Sequence, residues 1–186
     1  MKIIMKMRDG MDYLFRQNLL ATNIVTCASL LGLGDCAVQK INTAFDKDYK
    51  YDLARTGRMA IIGVMLGPFN HFWYAFLDRL IVGKTRRIII KKIMIDQAVA
   101  GTFFCTSFLY GISILEGKTH EAAIEEWKHK FLKIYMLDWT FWPMAQCINF
   151  KFVPSKFRVL YVCVSTFIWN SLLSYIKYKP KEEHVR

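Results

Sequence analysis

The stretch MAIIGVMLGPFNHFWYAFL, from Met59 to Leu77, contains no aspartate, glutamate, lysine or arginine in 19 residues. A helix rises about 1.5 Å per residue, so a run of this length nearly crosses a hydrocarbon core of roughly 30 Å. Helices of a soluble domain usually carry charge on one face every few residues. Three other stretches of 18 or 19 residues lack these charges: Gln17–Gly34, Gln97–Leu115 and Val159–Ile176. The four stretches therefore predict membrane-spanning helices.

We predict an all-α integral membrane protein, a single domain over residues 1–186, in which four transmembrane helices form a bundle. The expected spans are 17–38, 56–78, 94–115 and 157–177. A fifth segment, 119–152, combines an amphipathic pattern with a charge-free run of 12 residues from Trp139 to Phe150. A run this short cannot cross a bilayer alone. We therefore expect an amphipathic or re-entrant helix that is partly inserted.

Polar and charged side chains are concentrated near the ends of the expected spans. Two interpretations fit them. Ionisable groups near hydrocarbon usually pair with one another, and they also line polar pathways between helices. The residue types favour neither interpretation over the other. The candidates for pairing or for a pathway are Asp35, Gln39, Arg55, Arg58, His71, Asp96, Gln97 and Asp138.

Small residues and prolines predict how the helices pack. Gly63 and Gly67 are four residues apart, a spacing that lets two membrane helices approach closely. Pro68 and Pro143 each remove a backbone hydrogen bond from an expected helix. A kink at such a position is tolerated where neighbouring groups satisfy the backbone. We expect all four residues to shape helix contacts.

The sequence lacks the residue patterns that catalytic and metal sites require. The five cysteines form no CxxC pair, and no histidine stands at a metal-ligand spacing from them. No HExxH, GxSxG or phosphate-loop motif occurs. We therefore expect no enzyme activity, no cofactor and no metal.

The chain is basic, with a formal net charge of +11. A basic surface favours anionic lipid headgroups or RNA, and on a membrane protein lipid is the more frequent partner. We expect membrane lipids as partners and no direct sequence-specific recognition of nucleic acid, and we leave a homo-oligomer open. The expected basic contact surface follows the second span and consists of Arg79, Lys84, Arg86, Arg87, Lys91 and Lys92.

An ordered series of short motifs covers the chain roughly from Leu19 to Tyr178. In this order the sequence resembles the Mpv-seventeen family, also called the twenty-two-kilodalton peroxisomal membrane protein family, and within it the branch called Mpv-seventeen-like protein two. The motif residues include Asp35, Gln39, Gly67, Pro68, Trp73, Tyr74, Trp139, Trp142, Pro143, Gln146, Asn149, Pro154 and Trp169. One departure is Thr102, where many members carry proline. A proline-induced bend in the third helix is therefore not supported, and Gly101 is the residue that would still permit a bend.

The resemblance implies an all-helical, four-span protein of the mitochondrial inner membrane or, in some members, the peroxisomal membrane. It also implies channel-like permeation of ions or small metabolites and a role in mitochondrial DNA maintenance or translation. Our first hypothesis is a protein that forms or contributes to a small polar channel along Asp35, Arg58, His71 and Asp96. The alternative is a membrane-bound assembly or tethering factor for mitochondrial ribosomes or the nucleoid. The basic loop from Arg79 to Lys92 and the tail Lys177–Lys181 would make the contact.

Overall fold

The computed structural model describes Tyr13 and residues 18–178, with side chains described through residue 170. Five helices follow one another, and none of these residues forms a strand. The side chains at the end of the fourth expected span and most of the C-terminal basic tail lie outside the described residues. The helices are α1 (Leu19–Phe45), α2 (Leu53–Leu80), α3 (Arg86–Leu115), α4 (His120–Phe152) and α5 (Arg158–Tyr178), with a 3₁₀ turn at Ser155–Phe157.

Within the described part of the chain, three helices are long and apolar enough to cross a membrane: α1, α2 and α3. They have 27, 28 and 30 residues and are therefore longer than the charge-free stretches they contain. Hydropathy marks only the apolar centre of a helix, whereas backbone hydrogen bonding continues through the charged turns at both ends. The all-α prediction is confirmed, and the three spans agree with three of the four that we expected.

Helix α1 packs antiparallel against α2, and two glycines allow the close approach. A Cβ atom built on Gly63 would lie 2.6 Å from the Ala28 Cα, and one built on Gly67 would lie 2.8 Å from the Ile24 Cα. Both neighbours are backbone atoms of α1, which cannot yield as a flexible side chain does. Both glycines therefore lie at the contact between α1 and α2. Pro68 follows directly and lies inside α2 without ending it.

Helix α3 begins earlier than the sequence indicates. Residues Arg86–Ile95 form its first turns, although the expected third span begins only at residue 94. Ile89 and Ile93 are one turn apart and both are buried, so Arg86, Arg87 and Lys91 occupy the outer face. From Asp96 to Gly101 the helix widens into a π segment, and it continues as an α-helix from Thr102. The π segment ends one residue before Thr102.

Helix α4 is one continuous helix of 33 residues that includes both halves of the fifth segment. Thr119 is the N-cap of this helix, and its hydroxyl accepts a hydrogen bond from the Ala122 backbone N–H at 3.3 Å. Pro143 lies inside the helix and does not end it. The inner face after Pro143 buries Gln146, Asn149 and Phe150. This face delivers polar side chains to the centre of the bundle.

Candidate functional site

A cavity of about 250 Å³ lies within the bundle and is lined by side chains from all five helices. Its walls are mostly apolar, and a few polar groups converge on it. A cavity of this kind is the usual form of a small-molecule site. We take it as the candidate site. The polar lining residues are Asn70, Tyr74, Asp96, Gln97, Asp138, Gln146, Thr166 and Asn170.

The first carboxylate of the cavity is Asp96, which opens the π segment of α3 and is 4% exposed. It accepts hydrogen bonds from the Trp73 indole N–H at 2.8 Å and from the Gln146 side-chain amide at 2.6 Å. Gln146 also donates to the Tyr74 hydroxyl at 2.7 Å and accepts from the Asn149 amide at 2.8 Å. Buried polar groups are retained where partners satisfy them. One polar network therefore joins α2, α3 and α4.

The second carboxylate is Asp138, which lines the cavity from α4. Trp142, one turn further along the helix, also lines the cavity. The Tyr135 hydroxyl donates to the Gln97 carbonyl oxygen at 3.0 Å and so holds this turn of α4 against the π segment. The Trp73 indole therefore orients Asp96, and Tyr135 helps to position the turn of α4 that carries Asp138.

A cluster of paired groups, which we call the Asp35 cluster, joins the C-terminal half of α1 to the start of α2. Asp35 is 2% exposed and lies 2.8 Å from the Arg55 guanidinium. It also accepts from the Gln39 amide and the Thr56 hydroxyl, both at 2.7 Å. The Gln39 side chain makes two hydrogen bonds to the Asp52 backbone: it accepts from the N–H at 2.7 Å and donates to the carbonyl oxygen at 2.9 Å. These partners account for the buried charge.

Asp52 is the N-cap of α2 and completes this end of the bundle. Its carboxylate accepts from the Arg55 backbone N–H at 3.0 Å and lies 3.1 Å from the Arg58 guanidinium. The hydrogen bond from the Arg55 N–H holds the pKa of Asp52 below its ordinary value, and the nearby charge of Arg58 acts in the same direction. Arg58 is thus engaged in a pair at the helix end and does not line the cavity.

A second cluster, the Asp78 cluster, lies at the opposite end of α2. The Asp78 carboxylate pairs with the Lys92 ammonium at 2.7 Å, with the Arg158 guanidinium, and with the Ser155 hydroxyl at 2.6 Å. The Phe150 ring lies against both cations, 5.7 Å from Lys92 Nζ and 5.2 Å from the Arg158 guanidinium carbon. Sequence reasoning missed this cluster. In the sequence, the only indication of this cluster is that one acidic residue on α2 has basic residues on the neighbouring helices as possible partners.

One residue of the predicted basic contact surface, Lys92, does not lie on the surface. Its side chain is buried, at 4% exposure, because α3 turns it inward toward Asp78. The other five basic residues are exposed, on the end of α2, the following turn and the outer face of α3. From here on, the basic surface means Arg79, Lys84, Arg86, Arg87 and Lys91.

The remaining predicted residues lie at several places. His71 shares a hydrogen bond of 3.0 Å with Asn23 of α1 and is not a cavity residue. Trp169 lines the cavity and stacks on Phe141 at 4.9 Å, whereas Trp139 is 37% exposed. Pro154 is exposed in the turn before α5. In the part of the chain that the structure describes, no three or more histidine, cysteine, aspartate or glutamate side chains are grouped as metal ligands would be.

Comparisons with known proteins identify relatives of this chain. A model of the Mpv17 / PMP22 family matches residues 113–174. The chain is 36% identical to PXMP2/4 family protein 4 of Dictyostelium discoideum over 83% of this chain and 84% of that protein. It is 38% identical to Protein sym1 of Aspergillus oryzae over 84% of this chain and 90% of that protein. No solved structure matches.

A further relative states a location in its name. The chain is 31% identical to the mitochondrial inner membrane protein Mpv17 of Danio rerio over 82% of this chain and 86% of that protein. Three helices of the structure have the length and composition to cross a membrane, which fits a multi-pass protein. The assignment to the narrower like-protein-two branch stays a prediction. The chain belongs to the Mpv17 / PMP22 family and is a multi-pass protein of the mitochondrial inner membrane.

Proposed function

We propose that this protein is a non-enzymatic membrane protein that forms, or contributes to, a small polar pathway through the inner membrane. The central cavity carries this proposal, because carboxylates and amides from four helices converge within a bundle of membrane-length helices. Polar groups at membrane depth are costly and usually mark solute or ion routes. In this proposal α5 is the fourth span, and α4 is partly inserted and closes one side of the cavity.

The geometry favours a different set of residues for the proposed pathway. Asp96 lines the cavity, whereas Asp35 and Arg58 are held in pairs at one end of α2 and His71 bonds to α1. We therefore assign the Asp35 and Asp78 clusters to holding the helices together. The pathway residues become Asp96, Gln97, Asp138 and Gln146, with Asn70 beside them.

Reconstitution into planar bilayers tests the pathway. We expect discrete currents from the purified protein and a change in single-channel conductance of roughly threefold or more in Asp96→Asn. A fixed charge about 10 Å from a passing ion contributes roughly 1–2 kcal/mol at an effective dielectric constant of about 20. The substitution removes that charge and keeps the shape of the side chain.

Glu125→Gln is the matched control for this measurement. It also converts a carboxylate to an amide, but Glu125 lies on the exposed face of α4 in a surface pair with Lys128. Its currents should equal those of the unchanged chain. A folded protein that carries no current at any voltage, pH or redox condition contradicts the pathway, and so does an Asp96→Asn variant with unaltered conductance.

The exposed basic surface favours a second candidate function, a tether for mitochondrial ribosomal particles. Each lysine or arginine near a polyanion contributes about 1 kcal/mol, so Arg86→Ala with Arg87→Ala should weaken association roughly tenfold or more. Cosedimentation of the detergent-solubilised protein with ribosomal particles measures it. Lys128→Ala with Lys130→Ala removes the same charge from α4 and should leave association intact. Equal losses in both variants would indicate unspecific attraction.

A further inference from the structure

The charged side chains that line the cavity are acidic. Asp96 and Asp138 line it from two different helices. No lysine, arginine or histidine stands among its lining residues in the described part of the chain. Asp96, the buried one, takes its hydrogen bonds from neutral donors, the Trp73 indole and the Gln146 amide. A buried carboxylate without a cationic partner is costly, so such a site favours a positively charged occupant.

An unused acceptor lies beside the carboxylates. Asn70 lines the cavity from α2, is 5% exposed, and its amide oxygen makes no hydrogen bond to any described residue. A buried carbonyl oxygen usually has a donor, and an unmet one calls for a specific explanation. A ligand that brings N–H donors satisfies this oxygen and the carboxylates together. The acceptor is therefore a second sign, independent of charge, of an occupant that donates hydrogen bonds.

The walls of the cavity decide what kind of cation fits. Phe104, Phe108, Trp142 and Trp169 line it together with aliphatic side chains. Aromatic faces attract ammonium groups and also accommodate an apolar body. A small metal ion prefers several hard oxygen ligands, and no grouping of three or more candidate ligands occurs in the described residues. The combination suits an organic ammonium ion better than a bare metal ion.

We propose that the central cavity is a binding site for a small organic cation, a primary ammonium on an apolar or aromatic body. Asp138 and Asp96 face the ammonium group, the Asn70 oxygen accepts one of its hydrogens, and the aromatic walls hold the body. The inference assigns a substrate class to the pathway proposed above and rests on it. The volume of about 250 Å³ limits the ligand to about the size of one aromatic ring with a short side chain.

A series of three probes tests the charge preference on the full chain in detergent. Phenethylamine is cationic at neutral pH, 2-phenylethanol is neutral, and 3-phenylpropionate is anionic, while all three have a similar body. We expect titration calorimetry to show phenethylamine binding about tenfold or more tighter than the alcohol, with no binding of the acid. Equal affinity for amine and alcohol on the unchanged chain overturns the proposal, whatever the variants do.

Variants locate the preference at the cavity. Asp138→Asn should reduce the preference for the amine, and Asp138→Asn combined with Asp96→Asn should lower amine affinity to that of the alcohol. Asp138→Glu should retain the preference, and Glu125→Gln should bind as the unchanged chain does. A folded double variant that still prefers the amine overturns the assignment. Currents in bilayers without amine binding remove this inference and leave the pathway. Amine binding without currents supports the site and removes the pathway.

Discussion

We expect Asp78→Ala to lower the free energy of unfolding by about 3–5 kcal/mol, the cost of removing one partner from a buried ion pair. Asp78 is the carboxylate that faces two buried cations, Lys92 at 4% and Arg158 at 3% exposure. Its loss leaves both charges in a low-dielectric environment and frees the Ser155 hydroxyl. Denaturant-induced unfolding in detergent micelles, followed by circular dichroism, measures the change.

Two matched variants separate charge imbalance from loss of volume. Lys92→Met keeps most of the buried stem and leaves Asp78 paired with Arg158, so we expect less than half the loss seen for Asp78→Ala. Asp48→Ala removes an exposed carboxylate from the turn before α2 and should change stability by no more than about 0.5 kcal/mol. If Lys92→Met costs as much as Asp78→Ala, the carboxylate is not the centre of the cluster.

The second large effect is expected at the contact between α1 and α2. Gly63→Ala should lower the free energy of unfolding by about 1–3 kcal/mol, the usual cost of overpacking a close contact. The added methyl would lie 2.6 Å from the Ala28 Cα and 2.7 Å from the Cys27 carbonyl oxygen, so the two helices must separate. Thermal unfolding in detergent or in lipid nanodiscs checks this result.

Gly57 provides an internal control on the same helix. A Cβ there meets nothing within 4 Å, so Gly57→Ala tests helix propensity without a clash. Because alanine stabilises a helix interior by up to about 1 kcal/mol relative to glycine, this variant should be neutral or slightly more stable. Opposite signs at the two glycines support close packing at Gly63. Equal effects would show that α1 does not approach α2 at this point.

The candidate site was only partly predictable from the sequence. Asp96, Gln97 and Asp138 were identifiable as polar residues near apolar stretches, and the structure places all three at the cavity. Asp35 and Arg58 have the same sequence character and lie in paired groups at a helix end. Hydropathy cannot separate these cases, because it does not report the direction in which a side chain points around the helix axis.

The residues alone indicate that the chain is helical and membrane-bound, because the partition of an apolar stretch into lipid depends on its own residues. Which distant side chains meet depends on how the helices pack. Asp78 pairs with Arg158, which is 80 positions away in the sequence, and Gln146 hydrogen-bonds to Asp96, which is 50 positions away. Lys92 points inward to Asp78 from a segment that the sequence indicates as an exposed connection. These partnerships depend on the rotation and crossing of whole helices, set by contacts such as Gly63 against Ala28. They decided where the cavity and its two carboxylates lie.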